Sequence, residues 1–373
     1  MGLAYRPEEG YWSAQNWAVA EVREYKTALL QEVISMFGPD GISLDFLRAP
    51  LFFNASTTTG EERRSVMGAW VRDLRRRMDA GGVPTLSARI PPKLETLDEI
   101  GLDIRGLVAD GTLSFLTLGI NYDSFMAQDS DIATIRKMVP SNYSLLWEVS
   151  YVERAKASAS CHHGPDQRMT HAHLATSAHQ AYFLGATGMA SFNFQYYREF
   201  ADTPCMLREN EPYSEPPFGI LARLRDRDWV ARQDQFYWSN TARHLEPGSP
   251  LSATFVLAPP QGAWMSGKVR INLAASNGSA LPRPPSLSVN GERLAATANT
   301  SLLWASEFPD RFAGEYLAWT LPATVPRSGP NELVFTADSA MGISHIDVVL
   351  PVSASPMPAK ADDEESIGLF MNE

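Results

Sequence analysis

Short apolar runs that predict β-strands alternate with helical stretches over the first two-thirds of the sequence, and this alternation limits the fold more than any other feature. The predicted strands are residues 41–48, 85–90, 112–120, 144–149 and 188–194. The predicted helices are residues 19–37, 60–80, 94–109, 131–139, 170–184 and 221–239. Such alternation is typical of parallel β/α folds, either a doubly wound sheet or a barrel. No glycine-rich phosphate loop follows a strand, which favours the barrel.

The pattern changes near residue 250, where short alternating runs with turn residues replace the β/α units. Six strands are predicted, at residues 252–257, 268–273, 286–289, 315–321, 331–336 and 343–350. The step from Asn290 to Gly291 is a strong hairpin signal, and regularly spaced short strands indicate an antiparallel β-sandwich of jelly-roll-like form. We therefore expect a β/α-barrel domain at residues 1–244, a β-sandwich at residues 245–353 and a disordered acidic tail at residues 354–373.

Charge and hydropathy argue against several classes of partner. The chain has a formal net charge of −11, whereas nucleic acids and anionic membrane surfaces are bound by clustered Lys and Arg. We expect no nucleic-acid partner and no membrane partner, since no stretch approaches the roughly 20 apolar residues of a membrane span. The basic run at residues 72–77 is interpreted as the solvated face of a helix. Four N-x-S/T sequons slightly favour a secreted or extracytoplasmic protein.

A motif around the first predicted strand resembles a known family. Residues 40–50, Asp-Gly-Ile-Ser-Leu-Asp-Phe-Leu-Arg-Ala-Pro, are similar to the D-G-I-x-L-D-[FY]-x-R-x-P strand of a group of glycosyl-hydrolase-like (β/α)8 barrels. Further segments follow in the family's order, at residues 21–26, 88–91, 101–105 and 185–194. The resemblance covers about residues 20–240 and implies a barrel with its catalytic groups at the C-terminal ends of the strands.

The number of strands departs from the family. If residues 188–194 form the eighth barrel strand, residues 41–48 form the fourth, and strands one to three are absent apart from any contribution of residues 1–17. A parallel barrel opened in this way exposes a strand edge and apolar surface. We therefore expect a partial barrel, taken from a longer protein with its own signal peptide or closed by a partner, and self-association through the open barrel edge.

Asp45 and Glu148 are the candidate catalytic residues. Glycoside hydrolysis needs two carboxyl groups, one to protonate the leaving oxygen and one to attack the sugar or activate water. The resemblance implies positions on strands four and seven, similar to the acid/base and nucleophile of the largest clan of retaining barrel glycosidases. That clan has Glu at both positions and Asn before the first, whereas this chain has Leu44 and Asp45. Asp45 is alternatively a nucleophile, with Asp123 or Glu148 as the acid.

Eight other residues at predicted strand ends are candidates for substrate binding. They are Arg48, Arg89, Asn121, Tyr122, Trp147, Asn193, Gln195 and Tyr196. Each has a structural alternative. Arg89 either binds the carboxylate or sulfate of an acidic sugar or pairs with Asp45, and Asp45 with Arg48 alternatively forms an ion pair at the rim. Trp147 either stacks on a sugar or faces the helices, and the residues after position 192 alternatively cap the last strand.

We expect no metal and no cofactor. His171 and His173 diverge on a helix, no zinc-ligand spacing is present, and the resemblance implies no metal. The expected function is that of a glycoside hydrolase acting on a poly- or oligosaccharide. The alternatives are a non-catalytic carbohydrate-binding or scaffolding protein with a degenerate barrel, and a polysaccharide lyase that uses Tyr122 or Tyr196. Exposure of Trp264, Trp304 or Trp319 would indicate sugar binding by the C-terminal domain.

Overall fold

The computed structural model describes the chain in ten stretches. These are residues 14–47, 50–119, 126–150, 152–154, 166–169, 171–194, 218–239, 243–273, 284–297 and 316–354. Mixed α/β structure fills the first part, and antiparallel sheets fill the second.

The first part alternates strands and helices as the sequence predicts. Its strands are β1 (Gly41–Asp45), β2 (Thr85–Ile90), β3 (Phe115–Leu118), β4 (Leu145–Ser150), β5 (Val152–Arg154), β6 (Asp166–Arg168) and β7 (Gly188–Phe192). Its helices are α1 (Ala20–Phe37), α2 (Gly60–Ala80), α3 (Leu94–Glu99), α4 (Ile104–Ala109), α5 (Ile132–Met138), α6 (His171–Leu184), α7 (Phe218–Leu224) and α8 (Arg227–Val230), with a 3-10 turn at Ala127–Asp129.

Local chemistry accounts for two of these helix boundaries. Helix α2 begins with a capping box, in which Thr59 and Glu62 satisfy each other's backbone N–H groups. The single helix predicted over residues 94–109 is instead two helices. Gly101 separates them with φ +73, and a Cβ there would meet the backbone of Arg63 at 2.4 Å; Asp103 then caps α4 by accepting from the backbone N–H of Gly106.

Five strands form one parallel sheet in the order β1-β2-β3-β4-β7, and β5 and β6 form a separate antiparallel pair. The described residues therefore contribute five β/α strands, and within these ranges β1 and β7 are edges rather than neighbours. A closed barrel is not formed by these strands.

The two faces of the parallel sheet differ in burial. In the central strands the helix-facing side is buried and apolar, and includes Leu86, Ala88, Leu116, Leu118, Leu145 and Trp147. On the opposite face, Asp45, Arg89, Thr117 and Phe192 are only partly covered. Because successive side chains of a strand point to opposite faces, the polar residues near the strand ends share one side of the sheet.

The second part consists of antiparallel sheets. Its strands are β8 (Gln235–Ser239), β9 (Arg243–Leu245), β10 (Leu251–Leu257), β11 (Gly262–Trp264), β12 (Gly267–Leu273), β13 (Ser286–Val289), β14 (Glu292–Arg293), β15 (Ala296–Thr297), β16 (Tyr316–Leu321), β17 (Gly329–Thr336), β18 (Met341–Leu350) and β19 (Val352–Ala354). A four-stranded sheet has the order β10-β17-β13-β14, and a six-stranded sheet has the order β15-β16-β12-β18-β8, with β9 also paired to β18. Strands β11 and β19 pair with each other.

Side chains of the two larger sheets meet in the core, where the rings of Trp319 and Phe335 lie 6.0 Å apart. Trp319 is buried, Trp264 is half-buried, and Trp304 lies outside the described residues. Asn290 and Gly291 both have positive φ, as the predicted hairpin requires.

The last predicted helix, residues 221–239, is wrong in its second half. Residues 235–239 form β8, which pairs antiparallel with β18. The run Phe236-Tyr237-Trp238 consists of aromatic residues that favour strands. The six-stranded sheet therefore takes in residues that precede the predicted domain boundary at residue 244.

Helix α6 connects the two parts of the structure. Gln180 donates to the backbone oxygen of Val256, and Gln128 accepts from the backbone N–H of Val256. His179 hydrogen-bonds the backbone oxygen of Pro259 at 2.9 Å, and Thr176 accepts from the backbone N–H of Phe236. The C-terminal sheets are thus joined to α6 by directed polar contacts.

Helix α1 carries an apolar stripe on its outer side. Its large exposed apolar side chains are Tyr25, Leu29, Val33, Met36 and Phe37. It packs against α2, where Trp70 donates to Thr27, so the apolar stripe lies on the helix layer next to edge strand β1. Within the described ranges, no helix combines the length and apolar character needed to cross a bilayer.

Candidate active site

Three charged side chains from strands β1, β2 and β4 of the parallel sheet meet near the C-terminal ends of these strands. Asp45 is the last residue of β1, Arg89 is the penultimate residue of β2, and Glu148 lies in β4. Asp45 and Arg89 are direct partners in the β1–β2 register. The arrangement follows from parallel pairing, which brings the C-terminal ends of strands to one edge of the sheet.

Arg89 and Glu148 form a bidentate ion pair. Arg89 Nε donates to Glu148 Oε2 and Nη2 donates to Oε1, both at 2.6 Å. The Glu148 side chain is only 5% exposed and that of Arg89 is 14% exposed. A planar guanidinium matches a carboxylate in this geometry. Both Glu148 oxygens accept a hydrogen bond from Arg89, and this bidentate contact is typical of an ionised carboxylate.

Asp45 binds the remaining terminal nitrogen of the same guanidinium. Arg89 Nη1 lies 3.2 Å from Asp45 Oδ1 and 3.1 Å from Oδ2. The Asp45 side chain is 48% exposed, and its Oδ1 also accepts from the backbone N–H of Leu47. The Asp45 carboxylate is therefore held by Arg89 and by the backbone N–H of Leu47, but about half of the side chain is exposed to solvent.

The two carboxylates are close because they share one cation. Two carboxylates on the same guanidinium have nearest oxygens no more than ~8 Å apart. Burial opposes the charged form of Arg89, but the hydrogen bonds and charges of Glu148 and Asp45 outweigh it and raise its pKa above the ordinary value. With both carboxylates ionised, the three groups together carry one net negative charge.

Two uncharged residues touch this ion cluster. Gly119, just after β3, lies so close to Glu148 that a Cβ on it would be 2.4 Å from Oε1. The Phe192 ring, at the end of β7, has its centroid 4.7 Å from Arg89 Cζ. Neither Gly119 nor Phe192 carries a polar or charged group that would identify it as a candidate from the sequence. A glycine directly after a strand is a signal for close approach, but only the strand register shows which group approaches it.

Several predicted substrate-binding residues lie outside the described residues. These are Arg48, Asn121, Tyr122, Gln195 and Tyr196, together with the alternative acid Asp123. Asn193 is described, has φ +51 and follows β7 directly. It lies next to Phe192 at the strand end, and its contact with a sugar stays a prediction.

Trp147 is not placed to stack on a ligand. Its side chain is fully buried, and its indole Nε1 donates to Ser177 Oγ of α6 at 3.1 Å. Side chains alternate along a strand, so Trp147 points into the helix layer and its neighbour Glu148 points to the opposite face. The prediction of Trp147 as a stacking platform is wrong for this reason.

His173, one of the two histidines of the H-x-H pair, serves packing. His173 is buried against Phe236 and Trp238, with ring centroids 5.8 Å and 5.2 Å away, and burial lowers its pKa to about 3. In the part of the chain that the structure describes, no group of three or more His, Cys, Asp or Glu is arranged to hold a metal ion.

No protein-family model and no curated protein matches the sequence. Some solved structures are similar to it. A class V chitinase from Pseudomonas fluorescens Pf-5 is 16% identical, with 50% of this chain and 73% of that chain covered and a TM-score of 0.36. A cycloisomaltooligosaccharide glucanotransferase from Paenibacillus sp. is 10% identical, with 89% of this chain covered and a TM-score of 0.27. A glycoside hydrolase family 86 β-porphyranase from Bacteroides plebeius is 10% identical, with 81% and 76% covered and a TM-score of 0.23.

These similar structures are carbohydrate-active enzymes. The chain spans 38% of the length of the glucanotransferase.

Proposed function

We propose that this chain carries the active site of a carbohydrate-active enzyme of glycoside-hydrolase type, acting on a poly- or oligosaccharide through Asp45 and Glu148. The observation that carries the proposal is that both carboxylates bind one guanidinium near the strand C-termini. Two neighbouring carboxyl groups with unequal surroundings are what glycosidic bond cleavage needs.

The surroundings favour a particular division of roles. Glu148 is buried and accepts both prongs of the Arg89 fork, so it acts in the ionised form, as the nucleophile or as the base that activates water. Asp45 is half-exposed, so it can take up a proton from solvent and donate it to the leaving oxygen. The reverse assignment would place a protonated Glu148, whose O–H is itself a donor, against the two N–H donors of Arg89 and would weaken the ion pair.

The distance between the two carboxyl groups determines whether a glycosidase retains or inverts the configuration of the sugar. Retaining enzymes hold the two groups about 5–5.5 Å apart and inverting enzymes about 6.5–9.5 Å apart. The ~8 Å limit set by the shared guanidinium is compatible with both. The anomer of the first product, followed by NMR, distinguishes retention from inversion.

The test is cleavage of a panel of neutral and acidic polysaccharides by the purified 373-residue chain. Glu148→Gln and Asp45→Asn should each lower kcat by about 100-fold or more. Glu99→Gln, which removes an exposed helix carboxylate, is the matched control and should retain full activity. Equal activity of Glu148→Gln and the parent chain would refute the role of the pair.

Two other functions give different results in the same assay. A polysaccharide lyase using Tyr122 or Tyr196 would release unsaturated products that absorb ultraviolet light. A non-catalytic carbohydrate-binding or scaffolding protein would bind a polysaccharide without releasing reducing ends. Within the described ranges the parallel sheet has two edge strands, and this favours the last alternative, because an open sheet does not enclose a site as a closed barrel does.

A further inference from the structure

Two residues without reactive groups border the ion cluster of Asp45, Arg89 and Glu148. We infer that Gly119 and Phe192 are positioning residues of the proposed active site. Gly119 leaves the space into which the Glu148 carboxylate fits, and Phe192 supports the guanidinium that binds this carboxylate. The inference rests on the proposed function, because the exact placement of Glu148 affects a rate only if Glu148 reacts.

The space beside Gly119 is narrow. A Cβ at this position would lie 2.4 Å from Glu148 Oε1 and 2.8 Å from Cδ. On its other side the carboxylate is held at 2.6 Å by Nε and Nη2 of Arg89. The carboxylate therefore occupies a slot between the main chain after β3 and the guanidinium, and a methyl group in the slot would displace it from the fork.

At Gly119 a small substitution is expected to move the Glu148 carboxylate rather than the backbone. Gly119 is not among the glycines with positive φ, so its backbone accepts alanine. The three heavy atoms nearest to the added Cβ belong to the end of the Glu148 side chain. An added methyl group is accommodated by moving that carboxylate, while strand β3 stays in place.

Phe192 acts from a different side of the cluster. Its ring centroid lies 4.7 Å from Arg89 Cζ, a distance at which an aromatic face attracts a guanidinium. Arg89 Cζ lies over the ring, while the edge of the guanidinium that bears Nε and Nη2 points to Glu148. Without the ring, the Arg89 guanidinium is free to tilt away from the Glu148 carboxylate.

Kinetics of four variants test the catalytic part of the inference. Gly119→Ala should lower kcat by about 100-fold, the effect of a reacting group displaced by about 1 Å, with little change in KM. The control Gly219→Ala has open space around its Cβ and should behave as the parent. Phe192→Leu should also lower kcat, and Phe192→Tyr should restore it because tyrosine keeps the ring face. Parent-like kcat in Gly119→Ala, or equal kcat of the two Phe192 variants, would refute the inference.

A double-mutant cycle in thermal unfolding tests the slot without any substrate. Gly119→Ala should lower Tm in the parent chain but leave Tm unchanged in a Glu148→Ala background, where no carboxylate fills the space. An equal loss of Tm in both backgrounds would show that Gly119 does not act through Glu148. If the cycle shows coupling while the parent chain cleaves no glycoside, the slot exists, the proposed function is wrong and the catalytic role of both residues fails with it.

Discussion

Substitution of Arg89 by Met tests what holds the ion cluster together. The variant keeps a long apolar side chain but removes the cation between Glu148, which is 5% exposed, and Asp45, which is 48% exposed. Removal of one partner of a buried ion pair costs about 3–5 kcal/mol because the other charge is left uncompensated. An exposed pair contributes at most about 1 kcal/mol.

The expected loss therefore comes almost entirely from Glu148. We expect Arg89→Met to lower the free energy of unfolding by about 3 kcal/mol, the lower end of the range because Arg89 is not fully buried. Arg89→Met combined with Glu148→Met should recover most of this loss, since no unpaired charge then stays buried. The control is Arg64→Met, which breaks an exposed pair with Asp98 and should cost less than about 1 kcal/mol.

Urea unfolding followed by tryptophan fluorescence and circular dichroism measures these differences, with the slope m checked for constancy. A loss below about 1 kcal/mol for Arg89→Met would mean that water compensates Glu148 and that the site is more open than described. A double variant no more stable than the single one would show that Arg89 stabilises through packing rather than through charge.

Two further predictions concern association and acid stability. The 373-residue chain should self-associate through the α1 stripe and the β1 edge, so the double variant Leu29→Glu, Val33→Glu should have a lower mass by light scattering than the parent chain. Ser35→Glu changes an exposed polar position on the same helix and is the control. A parent chain that is monomeric at all concentrations would contradict the prediction. Burial lowers the pKa of His173 to about 3, below its ordinary value near 6.5. The unfolded chain therefore binds a proton that the folded chain does not, and the free energy of unfolding should fall as pH drops from about 6.5 towards 3. His173→Leu should flatten this slope in urea titrations, whereas an unchanged slope would assign the acid sensitivity to other groups.

The sequence predicts the parallel sheet well because its strands are short, apolar and separated by amphipathic helices. Residues 85–90 form a strand with the predicted bounds, and the other four parallel strands lie within a residue or two of theirs or are shorter. The prediction fails at residues 235–239, where long-range pairing with β18 decides the structure. Local periodicity carries no information about a partner more than a hundred residues away.

The candidate site is only partly predictable for a related reason. The positions of Asp45 and Glu148 near strand ends identify them as candidates, because parallel strands converge at one edge. Whether Arg89 binds substrate or protein carboxylates depends on distances that the sequence does not contain. Trp147 and Glu148 are adjacent, so one must face the helices and the other the opposite side; which of them does so became clear only from the contact of Trp147 with Ser177.

Helix α6 gives the C-terminal sheets a share in the architecture of the site. The helix holds Trp147 of β4 through Ser177 on one side and contacts β8 through Thr176 on the other. Glu148 follows Trp147 directly, so the strand that presents the carboxylate contacts a helix that is itself bonded to the C-terminal sheet through the neighbouring residue, Thr176. The antiparallel region thus stabilises the strand that carries part of the ion cluster. A chain shortened before residue 235 would lose the contacts that hold α6 against β4.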